Sequence, residues 1–266
     1  MSAALPALAS LPTLPDLPAL SLPTLADIPG LADLPDLLAR TPPLPVSPTL
    51  MLVVVLIAAA LAVPRVSWRW FGLFITLVHE LGHAVAALFT GRLVTGIHLH
   101  RDHSGSAASR GRPGFGAAFS GFLGYPAPAI VGFALVTSVF GGYPRAALLV
   151  GSIAIVGTLL FIRNLFGALV VVVASAACVV LWLWATPAVQ SIALLALGIA
   201  LLVGAVRELA TVVGVHVAHR RRLPTSDAWL LARQTGIPSF LWLLGFAVVI
   251  GACVWGAWSA YAATLA

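Results

Sequence analysis

Three side chains within one hydrophobic stretch have the types and spacing for metal-assisted hydrolysis. They are His79, Glu80 and His83, in Val78-His79-Glu80-Leu81-Gly82-His83-Ala84. Residues four apart on a helix project from one face, so two imidazoles at 79 and 83 can share one Zn²⁺ at about 2.0–2.1 Å each. Glu80 follows the first ligand directly, where a carboxylate can take the proton of a metal-activated water. The chain has only two Glu, Glu80 and Glu208, so the trio does not arise from abundance. A charge at mid-span costs about 2.5–3.5 kcal/mol on the insertion scale, and a polar contact between helices needs one such residue, not this set. Gly82 and Ala84 keep the helix slim, which lets a partner helix approach closely.

A catalytic zinc takes three protein ligands and keeps a position for water, so a third ligand has to come from elsewhere. Asp227 stands in Pro224-Thr225-Ser226-Asp227-Ala228, at the start of a short helical run closed by Gly236 and Pro238. Glu208 is the alternative, at the end of another hydrophobic segment. Asn164 is better suited to hydrogen bonding than to ligation. His98, His100 and His103 alternate around Arg101-Asp102 and read as solvated strand-face and turn residues. His216 and His219 precede Arg220-Arg221-Arg222, a basic patch suited to anionic lipid headgroups. Cys178 and Cys253 each lie deep in an apolar run, which suggests neither a disulfide framework nor a thiolate metal site.

These residues sit in a chain that belongs in a lipid bilayer. Of its 266 residues 61% are hydrophobic and 8% charged, against about 25% charged in an average soluble domain; the mean hydropathy is +1.06. All 14 basic residues are Arg. In a membrane protein such an excess reports topology, and nucleic acid is not an expected partner. Met1 is followed by a Pro-rich tract rather than a charged start and an apolar core, so no cleavable leader is expected.

Two regions follow from composition. Residues 1–48 hold 11 of the 19 prolines in a loose Leu-Pro repeat, which predicts a disordered or polyproline-like tail. Residues 49–266 form the membrane domain. The expected fold is an all-α polytopic membrane protein with about six to seven transmembrane helices and a small β hairpin after the motif helix. The segments are Thr49–Val63, Trp70–Thr90, Phe115–Phe140, Ala146–Ile162, Leu165–Thr186, Ala188–Val206 and Ser239–Ala262, the first short for a span. Between spans, Arg92–His100 alternates and is rich in β-branched residues, as a strand would be, with Ser104-Gly105-Ser106 as the turn after it. Four spans separate the polar segments 91–114 and 207–238, so parity puts both at one face. The Arg excess there predicts that face to be cytoplasmic, and the tail joins them if the first span crosses.

The chain resembles the site-2 protease superfamily of intramembrane zinc metalloproteases, and more closely its compact bacterial peptidase-like branch. The resemblance covers about residues 50–262. It rests on His79-Glu80-Leu81-Gly82-His83-Ala84 in an early span, the strand-like Gly-rich segment after it, and Pro224–Pro238 near the end. It implies Zn²⁺ as cofactor, held by His79, His83 and a downstream Asp matched by Asp227, here followed by Ala228 where that family usually has Gly. It implies Glu80 as catalytic base and a single-span membrane protein as substrate, in a bacterial cytoplasmic membrane with the site opening to the cytoplasm. It also gives the hairpin a use: a strand edge beside the site can pair with an unwound substrate.

Overall fold

The fold is taken from a computed structural model, which describes residues 35, 38–42, 44, 46–218, 223 and 226–265. The Leu-Pro repeat of the tail and the Arg220-Arg221-Arg222 patch lie outside them. Helices make up most of the rest: α1 (Pro48–Ala62), α2 (Arg65–Phe89), α3 (Phe115–Leu123), α4 (Ala127–Gly141), α5 (Pro144–Thr158), α6 (Leu165–Trp184), α7 (Pro187–Val217), α8 (Asp227–Thr235) and α9 (Ser239–Ala262). Two strands, β1 (Leu93–Leu99) and β2 (Gly105–Arg110), stand between α2 and α3. Local chemistry explains the ends. Ser47 Oγ accepts the Leu50 N–H at 3.1 Å to start α1, and Thr186 Oγ1 accepts the Val189 N–H at 3.3 Å to start α7, each with Pro at the first helical position. Gly142 and Gly236 close α4 and α8 with φ of 84° and 78°, the left-handed conformation glycine adopts at least cost.

All seven expected segments are helical, but they are not seven equal spans. Four helices, α2, α6, α7 and α9, are long and apolar enough to cross a membrane, and α3–α4 makes a fifth if counted as one span bent by 66°. α1 and α5 are apolar but have 15 residues each, about 22 Å of helix against a hydrocarbon core of about 30 Å. The protein is an integral membrane protein on these helices. Large apolar side chains such as Trp255 on α9 and Leu169 on α6 face outward, while Ile75, Leu195, Leu201, Phe246 and Ile250 fill the shared core. The single span expected over Phe115–Phe140 is broken at Gly124-Tyr125-Pro126, because Pro126 has no N–H to continue the ladder.

The parity expectation fails at α1. The Thr41 N–H donates to Gly142 O at 2.8 Å and Arg40 Nε–H to Gly141 O at 3.0 Å. Gly142 precedes α5, while the residues after α5 bond to the hairpin, so Arg40 and Thr41 sit at the opposite end of α5 from the hairpin. Likewise Arg207 and Trp68, which parity assigns to opposite faces, touch: the Arg207 guanidinium lies 4.0 Å from the Trp68 ring centroid. The start of α1 therefore stands at the Gly142 end of α5, and its last carbonyls, Ala62 O and Val63 O, stand at Arg207 of α7.

β1 and β2 pair antiparallel from Leu93↔Arg110 to Leu99↔Gly105, with an irregularity between Val94 and Gly96. The turn is residues 100–104, and Gly105 and Ser106, expected in the turn, open β2 instead. The other edge of β1 is taken. The Ile97 N–H donates to Phe161 O (2.8 Å) and the Arg163 N–H to Ile97 O (2.9 Å). Asn164 clamps Leu99 from both sides, accepting its N–H at 3.2 Å and donating to its O at 2.6 Å. The hairpin lies back along α2. His103, at φ 66°, reaches Arg69 O through Nε2–H (3.3 Å) and receives Thr76 Oγ1–H on its carbonyl (3.2 Å). Its ring occupies the notch at Gly72, where a Cβ would strike it. His103 is therefore a docking residue rather than a solvated turn.

Candidate metal centre and cleft

α2 presents His79 and His83 one turn apart, and α8 brings Asp227 to them. His79 Nε2 lies 3.1 Å from His83 Nε2 and 3.1 Å from Asp227 Oδ2; His83 Nε2 lies 3.2 Å from the same oxygen. Three donor atoms on a tetrahedral ion at 2.0–2.1 Å would be roughly 3.3–3.4 Å apart, so the observed triangle has the size such an ion needs. Two imidazole nitrogens and a carboxylate oxygen converging this closely repel unless a proton or a metal cation lies among them. His79, His83 and Asp227 form the one group of this kind among the described residues. Glu208 on α7, the alternative third ligand, is not part of it, nor are His98, His100 and His103.

The broken α3–α4 element builds the other side. Ser120 O accepts His83 Nδ1–H at 2.6 Å, and Ser120 Oγ–H donates to His83 O at 2.8 Å. With Nδ1 donating, Nε2 carries the lone pair toward the centre, as a metal ligand requires. Gly82 lets α2 close on this break, since a Cβ there would meet Ala127 and Leu123 O; that is the close approach its small size predicts. Gly124 packs directly on the imidazoles, and a Cβ on it would collide with His83 and with His79 Nε2. The Tyr125 ring meets the His79 ring edge-on, centroids 4.8 Å apart. Sequence reasoning missed Ser120, Gly124 and Tyr125. The signal was present in Gly124-Tyr125-Pro126, a helix-breaking set inside an apolar run.

Glu80 is buried, at 4% exposure, and its Oε2 has no hydrogen-bond partner. Its other oxygen packs on Gly105, the first residue of β2, where any side chain would run into it. A buried carboxylate oxygen without a partner is costly and fits a group that meets water or a ligand at the centre. A cavity of about 370 Å³ opens from Glu80, His83 and Asp227, walled by β2, α3 and α8.

Residues 51–257 match the family Peptidase M50B-like. The chain belongs to this family. The Peptidase M50B-like assignment places it in the site-2 protease superfamily, whose members are membrane metallopeptidases, and His79, His83 and Asp227 are the residues here that can hold a metal ion. No curated protein and no solved structure matches the chain.

Proposed function

We propose that this protein is an intramembrane zinc endopeptidase that hydrolyses peptide bonds of membrane-embedded, single-span substrates. One observation carries the reading: three ligand atoms converge with zinc-compatible spacing, and the unpartnered Glu80 carboxylate oxygen stands beside them at the head of a cleft. The donor set of two imidazoles, one carboxylate and an open position is that of a catalytic zinc rather than a structural one. Zinc bound there supplies a Lewis acid for the scissile carbonyl and makes water a nucleophile near neutral pH. Glu80 takes the proton of the attacking water and returns it to the leaving amine. His83 is kept in the right tautomer by Ser120 O.

The substrate enters as a strand. A helix hides its carbonyls in its own hydrogen bonds, so it has to unwind before hydrolysis. The outer edge of β2 has no backbone partner among the described residues and runs along the cleft from Glu80, which suits strand addition. The cleft faces the cytoplasm of a bacterial membrane in this reading, because Arg92, Arg101, Arg110, Arg112 and Arg163 surround the hairpin.

The test is cleavage of a single-span peptide by purified protein, with zinc measured in the same preparation. Glu80→Gln is expected to keep zinc and to lose about 10²–10⁴-fold in rate. Undiminished turnover in Glu80→Gln overturns the mechanism. A protein that holds stoichiometric zinc yet cuts no peptide would be a zinc-binding membrane protein instead.

A further inference from the structure

We propose that Arg92 reads a carboxylate on the substrate strand. It selects substrates with an acidic side chain, or the chain's own C-terminus, about four residues from the bond that is cut. This rests on the proteolytic reading and extends it to the class of substrate.

The geometry comes from the alternation of β2. Gly105, Ala107 and Ser109 are half-buried and Ser106, Ala108 and Arg110 exposed; Gly105, Ala107 and Ser109 line the cleft, as does Ser106 at its rim. Glu80 packs on Gly105. Arg92 Nε–H donates to Ser109 Oγ at 3.2 Å. The catalytic acid and a guanidinium therefore bracket one small-residue strand face, four residues or roughly 13 Å apart. An added strand pairs with β2 residue for residue, so this offset is carried onto the substrate.

Arg92 is held, but its charge is not neutralised. NH1 donates to Arg112 O at 2.8 Å, and NH2 approaches Ser109 O at 3.5 Å. Its stem lies against Gly111, where a side chain would crowd it. These contacts use three of the five N–H donors of a guanidinium. No carboxylate pairs with it among the described residues, and the only acids lining the cleft, Glu80 and Asp227, stand at the other end. Among the described residues, Arg92 is also the only Arg lining the cleft. A fixed planar fork with free donors matches a carboxylate in two-point fashion. A mere clasp for the hairpin would make binding indifferent to substrate charge.

The experiment uses full-length protein in detergent and fluorescent single-span peptides in which Glu, Gln or Lys is scanned on either side of the cut. Binding is read by anisotropy on the Glu80→Gln protein, and cleavage on the wild type. A second series ends the peptide with a free carboxylate, or with an amide, at the same offset, which separates a side chain from a terminus as the source. The expected result is binding about tenfold tighter for Glu than for Gln at one offset near four residues, weakening with salt. Arg92→Gln brings Glu and Gln peptides to parity, and Arg92→Glu reverses the preference toward Lys, a reversal that a clasp cannot produce. Arg92→Lys keeps the charge without the fork and is expected to fall between; thermal unfolding checks that each variant is folded. Equal binding of Glu and Gln peptides at every offset overturns the proposal, as does a preference that survives in Arg92→Gln. If the Arg92-dependent preference is found while the wild type cuts nothing, the proteolytic reading falls and Arg92 stands as a carboxylate-binding residue.

Discussion

His79 Nε2 and Asp227 Oδ2 stand 3.1 Å apart although 148 positions separate them. That contact favours Asp227 over Glu208 as third ligand. Asp227→Ala is expected to lose stoichiometric zinc, as are His79→Ala and His83→Ala, whereas Glu208→Gln retains it. Metal analysis of the purified variants checks this. Zinc lost in Glu208→Gln but kept in Asp227→Ala would reverse the assignment.

Two glycines are in contact with the reacting groups, and each predicts a different loss. Gly124→Ala pushes on both imidazoles and is expected to weaken zinc binding by about ten- to hundredfold, measured by competition with a chelator. Gly105→Ala pushes on Glu80 alone, so zinc stays and turnover falls by about 100-fold. Neither position has positive φ, so the change reports the contact and not backbone strain. A zinc defect in Gly105→Ala would mean that the two sites are not separable.

Asn164 takes the place of a third strand for Leu99. Its removal breaks two hydrogen bonds to the β1 backbone, worth about 1–2 kcal/mol together. Asn164→Ala is expected to speed amide exchange at β1 while leaving α7 and α9 protected, as hydrogen-exchange mass spectrometry would read. Unchanged exchange at β1 would show that Ile97 and its bonds to 161 and 163 suffice.

Arg207 ties three elements together. Its NH1 donates to Ala62 O (2.7 Å) and Val63 O (2.9 Å) at the end of α1, and its guanidinium covers the Trp68 ring of α2. Arg207→Gln exposes those carbonyls and loses the cation–π contact. A destabilisation of about 2–3 kcal/mol is expected, seen as a lower unfolding temperature in detergent. An unaltered unfolding temperature would count against it.

Much of this was legible along the chain because it is local. The pair His79 and His83 needs only helical spacing, the hairpin needs only alternation in Leu93–Leu99, and the seven helices need only apolar runs. Ser226-Asp227 before an amphipathic turn marks a helix start in the same way. The break at Gly124-Tyr125-Pro126 was also local, yet a long hydrophobic run hid it inside a single span.

What the sequence by itself determined is therefore the solvent, the helices and the placing of His79, Glu80 and His83 on one turn of α2. The tertiary structure alone decided that Asp227 and not Glu208 meets His79, that Ser120 O orients His83, that residues 161–164 occupy the outer edge of β1, and that Arg207 joins the end of α1 to Trp68 of α2. The reason is physical. Helix and strand patterns repeat over a few residues, so side-chain periodicity records them. A contact between residues 79 and 227 depends on the depth and tilt of every helix between them, and no short window of sequence holds that sum.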